Sequence, residues 1–237
     1  MQNNMQKLSI IIPVYNEKDT LLKILTLVEQ SKISIEKEVV LVDDASTDGT
    51  VEILKSLDQT KYKIIFSEKN EGKGASVKKG FQNASGDLII IQDADLEYDP
   101  NEYERLLKPI LDGKADVVFS SRFLGNSTHR VLYFWHYLGN KFLTVLSDIF
   151  TGLNLSDMES CYKVFKREVL DSFVNELESK RFGIEPELVA RCSRGRWRIY
   201  EVGVSYYGRT YAEGKKIGWK DGFSAILTIL KFGIFRK

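Results

Sequence analysis

Three short apolar runs in the first hundred residues each stop abruptly at polar or acidic side chains, and this pattern limits the fold more than anything else in the chain. Leu8 to Ile12 is closed by Pro13 and followed by Tyr15 and Glu17; Glu38 to Val42 meets Asp43 and Asp44; Asp87 to Ile91 runs straight into Asp93 and Asp95. Runs of this length bounded by turn residues read as strands buried on both faces. Helical segments alternate with them. Asp19 or Thr20 can cap a helix carrying Leu21, Leu22, Leu25 and Val28 on one face, and further helices are expected at Thr50 to Leu57 and Ala75 to Asn83. A strand is expected at Tyr62 to Ser67. Such alternation predicts a mostly parallel sheet with helices on both faces, whose ligands sit beyond the carboxyl ends of the strands. Three strands therefore deliver acidic groups to one edge.

The second half predicts helices at Asn101 to Leu111, Val131 to Phe150, Glu168 to Phe173, Glu185 to Cys192 and Trp219 to Phe235, with strands at Ala115 to Ser120 and Trp197 to Val204. No repeat or low-complexity linker interrupts the 237 residues. One domain is expected, with a sheet half over residues 1–122 and an acceptor half over 123–237.

Asp93-Ala94-Asp95 is the surest chemical feature. Two carboxylates one residue apart at a strand end can present oxygens to a hard cation such as Mg²⁺ or Mn²⁺. As three letters the motif also fits a solvated turn; its place after the apolar run Leu88 to Ile91 favours the site.

The wider pattern includes Ile11-Ile12-Pro13-Val14-Tyr15-Asn16-Glu17 and Val42-Asp43-Asp44-Ala45-Ser46-Thr47-Asp48-Gly49-Thr50. It continues through Asn70-Glu71-Gly72-Lys73-Gly74-Ala75, Gly86-Asp87 and Asp93-Ala94-Asp95-Leu96. Together these resemble the family-2 inverting glycosyltransferases, and within them the dolichyl-phosphate mannose synthases and bacterial polyprenyl-phosphate glycosyltransferases. The resemblance implies a Rossmann-like α/β fold of the GT-A type with C-terminal amphipathic helices. It implies that Pro13, Tyr15, Glu17, Val42 and Asp44 hold the nucleoside of a nucleotide-sugar donor such as GDP-mannose or a UDP-hexose. Asp93, Asp95 and Glu97 would be the metal ligands, with Ala94 beside the donor; many similar proteins have glutamine where Glu97 stands.

Arg122 and Arg130 follow the strand Ala115 to Ser120, where arginines of similar synthases contact the donor diphosphate or a lipid phosphate. A guanidinium suits that task because it stays charged and pairs two oxygens at once. Arg130 fits a surface ion pair equally well. Asp157-Met158-Glu159-Ser160-Cys161-Tyr162-Lys163 resembles the family's Asp-x-x-Ser-Gly-Phe-Arg segment, with Cys161 in place of glycine. Ser160 belongs to this acceptor side. Asp157 is either a base for a hydroxyl acceptor or an orienting group, because a phosphate acceptor is already an anion. Arg209 and Lys215 resemble the family's Arg-x(n)-Gly-x-Lys loop, which would close over the donor phosphates, with Gly208 and Gly214 allowing movement. By this reading Asp95, Asp157 and Arg122 form the catalytic group.

Two other glycine-loop chemistries are excluded. A dinucleotide fingerprint starting at Gly72 needs glycine where Val77 stands, and a phosphate-binding P-loop needs Ser or Thr where Gly74 follows Lys73. What remains for Gly72-Lys73-Gly74 is a flexible start to a helix or a role near the donor. A sugar-1-phosphate nucleotidyltransferase would need a glycine-rich loop where Pro13 to Glu17 stand.

A formal net charge of +1 gives no general attraction to nucleic acid. Cys161 and Cys192 lack the spacing of a zinc site, so reduced thiols are expected. The first residues lack the features of a signal peptide, and Gly222 to Leu230 is too short to span a bilayer. The aromatic helix Val131 to Phe150 and the basic, aromatic terminal helix suit a membrane surface. A cytoplasmic protein peripheral on that face of a membrane is expected; the alternative burial of these helices is in the fold or a homodimer. The functional expectation is metal-dependent, inverting hexose transfer to a polyprenyl or dolichyl phosphate. Its alternatives are transfer to a glycan hydroxyl and a nucleotide-binding module without turnover.

Overall fold

A computed structural model of the chain describes residues 6–125, 128–131, 134–210 and 219–234, without the side chains of 219–221 and 234. Four parallel strands form its first half: β1 (Lys7–Val14), β2 (Glu36–Asp43), β3 (Tyr62–Phe66) and β4 (Leu88–Ile91). They alternate with α1 (Leu21–Gln30), α2 (Thr50–Ser56) and α3 (Lys73–Asn83). The second half adds α4 (Tyr103–Leu111), β5 (Val117–Ser121), α5 (Phe134–Thr151), β6 (Lys163–Lys166), α6 (Arg167–Asp171), α7 (Ile184–Arg194), β7 (Ile199–Gly203) and α8 (Trp219–Ile234). The strands make one sheet in the order β3-β2-β1-β4-β6-β5-β7.

The strand order steps outward from β1 to β3, then reverses so that β4 lies on the other side of β1. Right-handed crossovers in the two directions place helices on opposite faces, and the reversal opens a crevice between the ends of β1 and β4. α3 closes on β1 and β2 because Gly80 is small: a Cβ there would lie 2.2 Å from Ile11 Cγ2. The apolar runs form the core as expected, with Leu88, Ile89, Ile90 and Ile91 all buried.

Several expectations shift. β1 does not stop at Pro13; it continues to Val14, with Pro13 opposite Val42. Thr20 stands at the start of α1 without capping a backbone N–H, and its hydroxyl instead donates to Glu17 Oε2 at 2.6 Å. The expected helix from Asn101 starts as a 3-10 turn at Pro100–Glu102, capped by Asp99 Oδ1. Glu168 to Phe173 is only the short α6, followed by a 3-10 turn at Val174–Glu176. Val131 is outside the aromatic helix, which is described over Phe134–Thr151, and Phe235 lies outside the described residues. Strand β6 was not expected at all. It pairs antiparallel with both β4 and β5 and so carries the segment before it into the middle of the sheet edge. Among the described residues no helix is long and apolar enough to cross a membrane.

Candidate active site

The loops after β1, β2 and β4 share an unusual backbone. Asn16, Ala45 and Leu96 have φ of 52°, 60° and 64°, and no other non-glycine described residue has positive φ. Such left-handed residues persist where surrounding bonds hold them, and they cluster at binding sites. Here the bonds are visible. Asn16 N–H donates to Ser46 Oγ at 2.9 Å, Thr47 N–H donates to Asn16 Oδ1 at 2.7 Å, and Glu17 N–H donates to Thr50 Oγ1 at 3.0 Å. The first two strand-end loops are thus one stitched unit, with Tyr15 39% exposed at its rim.

The nucleoside set is brought to this edge, but its members differ in what they offer. Val42 is fully buried within β2, so it shapes the floor rather than lining an opening. Asp44 is also buried, and its two oxygens accept from the N–H groups of Glu71 and Gly72 at 2.9 and 2.7 Å. It anchors the loop leading to α3. Its neighbour Asp43 accepts from Ser46 N–H through Oδ2, while its buried Oδ1 has no hydrogen-bond partner. The open acceptor therefore sits on Asp43 rather than on Asp44, the residue expected to hold the nucleoside.

Gly72-Lys73-Gly74 has a definite structural task. Gly72 has φ of +98°, and a Cβ on Gly74 would lie 2.1 Å from Ser179 O, so the backbone of residues 179–181 lies directly on this turn. Lys73 then reaches into the site, with Nζ 2.7 Å from Asp93 Oδ1 and 3.0 Å from Glu185 Oε1. Glu185 also accepts from Lys163 Nζ at 2.6 Å. Asp93 is thereby tied through the partly buried Lys73, the buried Glu185 and the buried Lys163 to the acceptor-side segment.

Asp95 and Glu97 are held from the other side. Arg209 Nη2 donates to Asp95 Oδ2 at 2.9 Å, and its guanidinium approaches Glu97 at 3.5 Å and Glu17 at 3.8 Å. Arg209 N–H and the Tyr206 hydroxyl donate to the two oxygens of Glu97, at 2.8 and 2.9 Å. Tyr206 was not foreseen from sequence; it lies beyond the expected strand Trp197 to Val204, with no motif to mark it. Burial, then the charges of Asp93 and Glu97, push the Asp95 carboxyl up to about 7. Ala94 between the two aspartates is buried. Among the described residues no three acidic, histidine or cysteine side chains converge as a ready metal cage. Asp93 and Asp95 instead face the protein's own cations.

The acceptor set is assembled across β5 and the segment before β6. Arg122 clasps Asp157, Nε to Oδ2 and Nη2 to Oδ1, both at 2.7 Å. Tyr206 packs its ring 5.1 Å from the Arg122 guanidinium carbon, so one tyrosine touches both Glu97 and Arg122. Ser160 is buried and its hydroxyl pairs with Ser120. It supports the sheet edge rather than opening to a ligand. Arg130 lies apart from Arg122 in its bonding: its Nη1 donates to Gly208 O at 3.0 Å and its N–H to Tyr206 O at 2.8 Å. It braces the chain that leads to Arg209. Lys215 lies outside the described residues.

Residues 9–173 match the family described as Glycosyl transferase family 2. Two curated proteins are similar over most of this chain, both undecaprenyl-phosphate 4-deoxy-4-formamido-L-arabinose transferases. The one from Aeromonas hydrophila subsp. hydrophila is 30% identical over 212 residues, and the one from Proteus mirabilis 28% over 214. The matches take in 87% and 88% of this chain and 62% of the length of each relative, so the chain spans under two thirds of those proteins. Among solved structures, glucosyl-3-phosphoglycerate synthase from Mycobacterium tuberculosis superposes with a TM-score of 0.73 at 18% identity, over 98% of this chain and 82% of that one. The same enzyme crystallised with Mn²⁺, UDP and phosphoglyceric acid gives 0.70 at 19% identity, over 96% and 78%. At that identity the likeness is one of fold, the GT-A arrangement.

Proposed function

Since the chain belongs to glycosyl transferase family 2, we propose that it moves a hexose, with inversion, from a nucleotide-sugar to a polyprenyl phosphate. The observation that carries this reading is the bridge made by Tyr206. Its hydroxyl holds Glu97 of the acidic cluster while its ring lies against Arg122, so a donor-side and an acceptor-side group form one assembly.

In the reaction an acceptor phosphate oxygen attacks the anomeric carbon of the sugar. The bond from that carbon to the donor diphosphate breaks, and its electron pair leaves with the nucleoside diphosphate. No proton has to be removed from an anionic nucleophile. That suits Asp157, whose carboxylate is fully covered and committed to Arg122. It orients the guanidinium, and Arg122 in turn positions the phosphate. The hydroxyl-acceptor alternative would need Asp157 free as a base, and the Arg122 pairing argues against it.

The donor chemistry at this edge suits a divalent cation, although its carboxylates are spread apart onto the protein's own cations. Asp93, Asp95 and Glu97 supply only oxygen donors, and the charges of Asp93 and Glu97 add to the burial that raises the Asp95 carboxyl. Bound by them, Mg²⁺ or Mn²⁺ would neutralise the diphosphate and stabilise its departure. Lys73 and Arg209 hold Asp93 and Asp95 at present, so both cations have to yield part of their contacts to it. Arg209, 3.8 Å from Glu17, is placed to turn from the carboxylates to the donor phosphates. Mn²⁺ and Mg²⁺ are each found with UDP in the similar glucosyl-3-phosphoglycerate synthase, which supports the choice of ion.

A membrane surface supplies the acceptor. On α5, Phe134, Leu138, Phe142, Val145 and Ile149 recur at helical spacing and are between 46% and 71% exposed, with Trp135 beside them at 74%. The opposite side of α5 buries Leu143, Thr144 and Ser147 against the fold. An apolar stripe of this length suits the headgroup boundary of a bilayer. The test supplies Mn²⁺, labelled GDP-mannose, UDP-glucose or UDP-N-acetylglucosamine, and a short polyprenyl phosphate. Label should appear in a chloroform-extractable product; label found only in water-soluble oligosaccharide sinks the lipid acceptor.

A further inference from the structure

Glu159 has no part in the chemistry derived so far, yet it stands at the centre of the site. The residues on either side of it, Met158 and Ser160, are buried, and both their carbonyls accept from Lys163 Nζ. This fixes the backbone of the segment around a buried ammonium. The Glu159 side chain is half-buried, and its Oε1 is closed off from solvent without any hydrogen-bond partner.

Its surroundings narrow what it can bind. Glu185, Lys163, Arg122 and Asp157 all lie close enough to shift its ionisation. Arg122 and Asp157 are the acceptor side, and Glu185 leads through Lys73 to Asp93 on the donor side. Glu159 therefore lies between the two groups that hold the reactants. Both nearby cations are already matched, Lys163 by Glu185 and Arg122 by Asp157. A phosphate brought against the Glu159 carboxyl itself would be repelled by it and by Glu185 and Asp157, so an anion does not suit this position. An orphaned carboxyl oxygen among charges of both signs suits a neutral group able both to donate and to accept, and a sugar hydroxyl is such a group.

We propose that the Glu159 carboxyl hydrogen-bonds a hydroxyl of the transferred sugar and makes the enzyme selective for donors that carry it. Burial, then the charge of Glu185, raises this carboxyl to about 7, where it can act as donor or acceptor toward such a hydroxyl. The assignment rests on the transferase reading above. A site built to satisfy a hydroxyl discriminates strongly, because an orphaned buried acceptor is left behind when the hydroxyl is missing.

The experiment compares the sugar's contribution to binding in the wild type, Glu159→Gln and Glu159→Ala. Calorimetry with Mn²⁺ measures UDP-glucose and UDP-N-acetylglucosamine against UDP, and GDP-mannose against GDP. Glu159→Ala should weaken the preferred nucleotide-sugar about tenfold and leave the bare nucleoside diphosphate within about twofold. Glu159→Gln, which keeps a donor and an acceptor, should recover most of the loss. An unchanged nucleotide-sugar affinity in Glu159→Ala overturns the assignment while leaving the transferase reading intact. So does an equal loss for UDP or GDP, since that marks a structural role. If the wild type binds none of the three donors with Mn²⁺ or Mg²⁺, the transferase reading itself fails and takes this inference with it.

Discussion

Arg122 holds Asp157 by two edges at once: its side chain contributes bonds of 2.7 Å to each carboxylate oxygen, and its own backbone N–H adds a third at 2.9 Å. The carboxylate is completely covered, whereas 12% of the arginine side chain remains exposed. A buried pair of this kind is fragile to the loss of one member and tolerant of losing both. Asp157→Asn should therefore lower unfolding stability by about 3 kcal/mol in urea titration. The double variant Arg122→Met with Asp157→Leu should regain most of that stability yet remain without transferase activity. Recovered activity in the double variant would remove Arg122 from the acceptor site.

The acidic loop gives a second prediction. Asp95→Ala should abolish the increase in donor affinity that Mn²⁺ brings, by more than about tenfold, while the melting temperature stays near that of the wild type. Among the described residues Arg209 is the cation paired with Asp95, at 2.9 Å, and it retains Glu97 and Glu17 when Asp95 is lost. Metal-dependent binding that survives in this variant would exclude Asp95 as a ligand.

Glu185 separates two ammonium groups, one buried on Lys163 and one partly buried on Lys73. It is 3% exposed and lies 3.0 Å from Lys73 and 2.6 Å from Lys163. Glu185→Leu should destabilise the chain by about 3 kcal/mol or more, read by urea unfolding, because both lysines lose a carboxylate in a dry setting. Glu185→Asp, which keeps the charge on a shorter arm, should lose less.

The raised Glu159 carboxyl predicts a pH effect on stability. Its ordinary value is 4.5 and its value in the fold about 7, through burial first and the Glu185 charge second. Asp157 adds to the rise, and Lys163 and Arg122 oppose it. Between these values the folded chain keeps a proton that the unfolded chain has released, so stability falls as pH increases across the interval. Relative to Glu159→Gln, the wild type should lose melting temperature from pH 4.5 up to about 7 and show no further divergence above it. Parallel curves for the two proteins would place the carboxyl at its ordinary value.

On α5, Trp135→Asp with Phe142→Asp should remove flotation with vesicles containing about 30% anionic lipid, leaving donor affinity unchanged within about twofold. These residues are 74% and 57% exposed, on the side of α5 away from Leu143, Thr144 and Ser147. A variant that still floats, or a wild type that forms a dimer through this face and ignores vesicles, would assign the stripe to another partner.

The strands after which the site is built were legible because hydrophobic burial writes itself as uninterrupted apolar runs, as in Leu88 to Ile91. β6 was not, since Lys163-Val164-Phe165-Lys166 reads as a fragment of an alternating surface segment; the burial of Lys163 comes from Glu185, far along the chain. The acidic triplet was visible by type and position. Its partners were less so. Lys73 was noticed for the glycines around it, and its charge turned out to face Asp93. Tyr206 carried no signal of its own and matters through contacts made across the fold; Asp43 was visible at its strand end, but not that it keeps an open acceptor that Asp44 lacks.

The antiparallel β6 also has a bearing on how the chain is made. β4 gains its second neighbour only when residues 163–166 arrive, long after Leu88 to Ile91 have left the ribosome. Throughout that interval the nascent sheet of β1 to β4 presents the unpaired backbone groups of an apolar strand along an open edge, the kind of edge that recruits strands from other molecules. Slow elongation through the second half, or a stop before β6, therefore exposes the growing polypeptide to self-association, and the yield of soluble protein should depend on how quickly that edge is sealed.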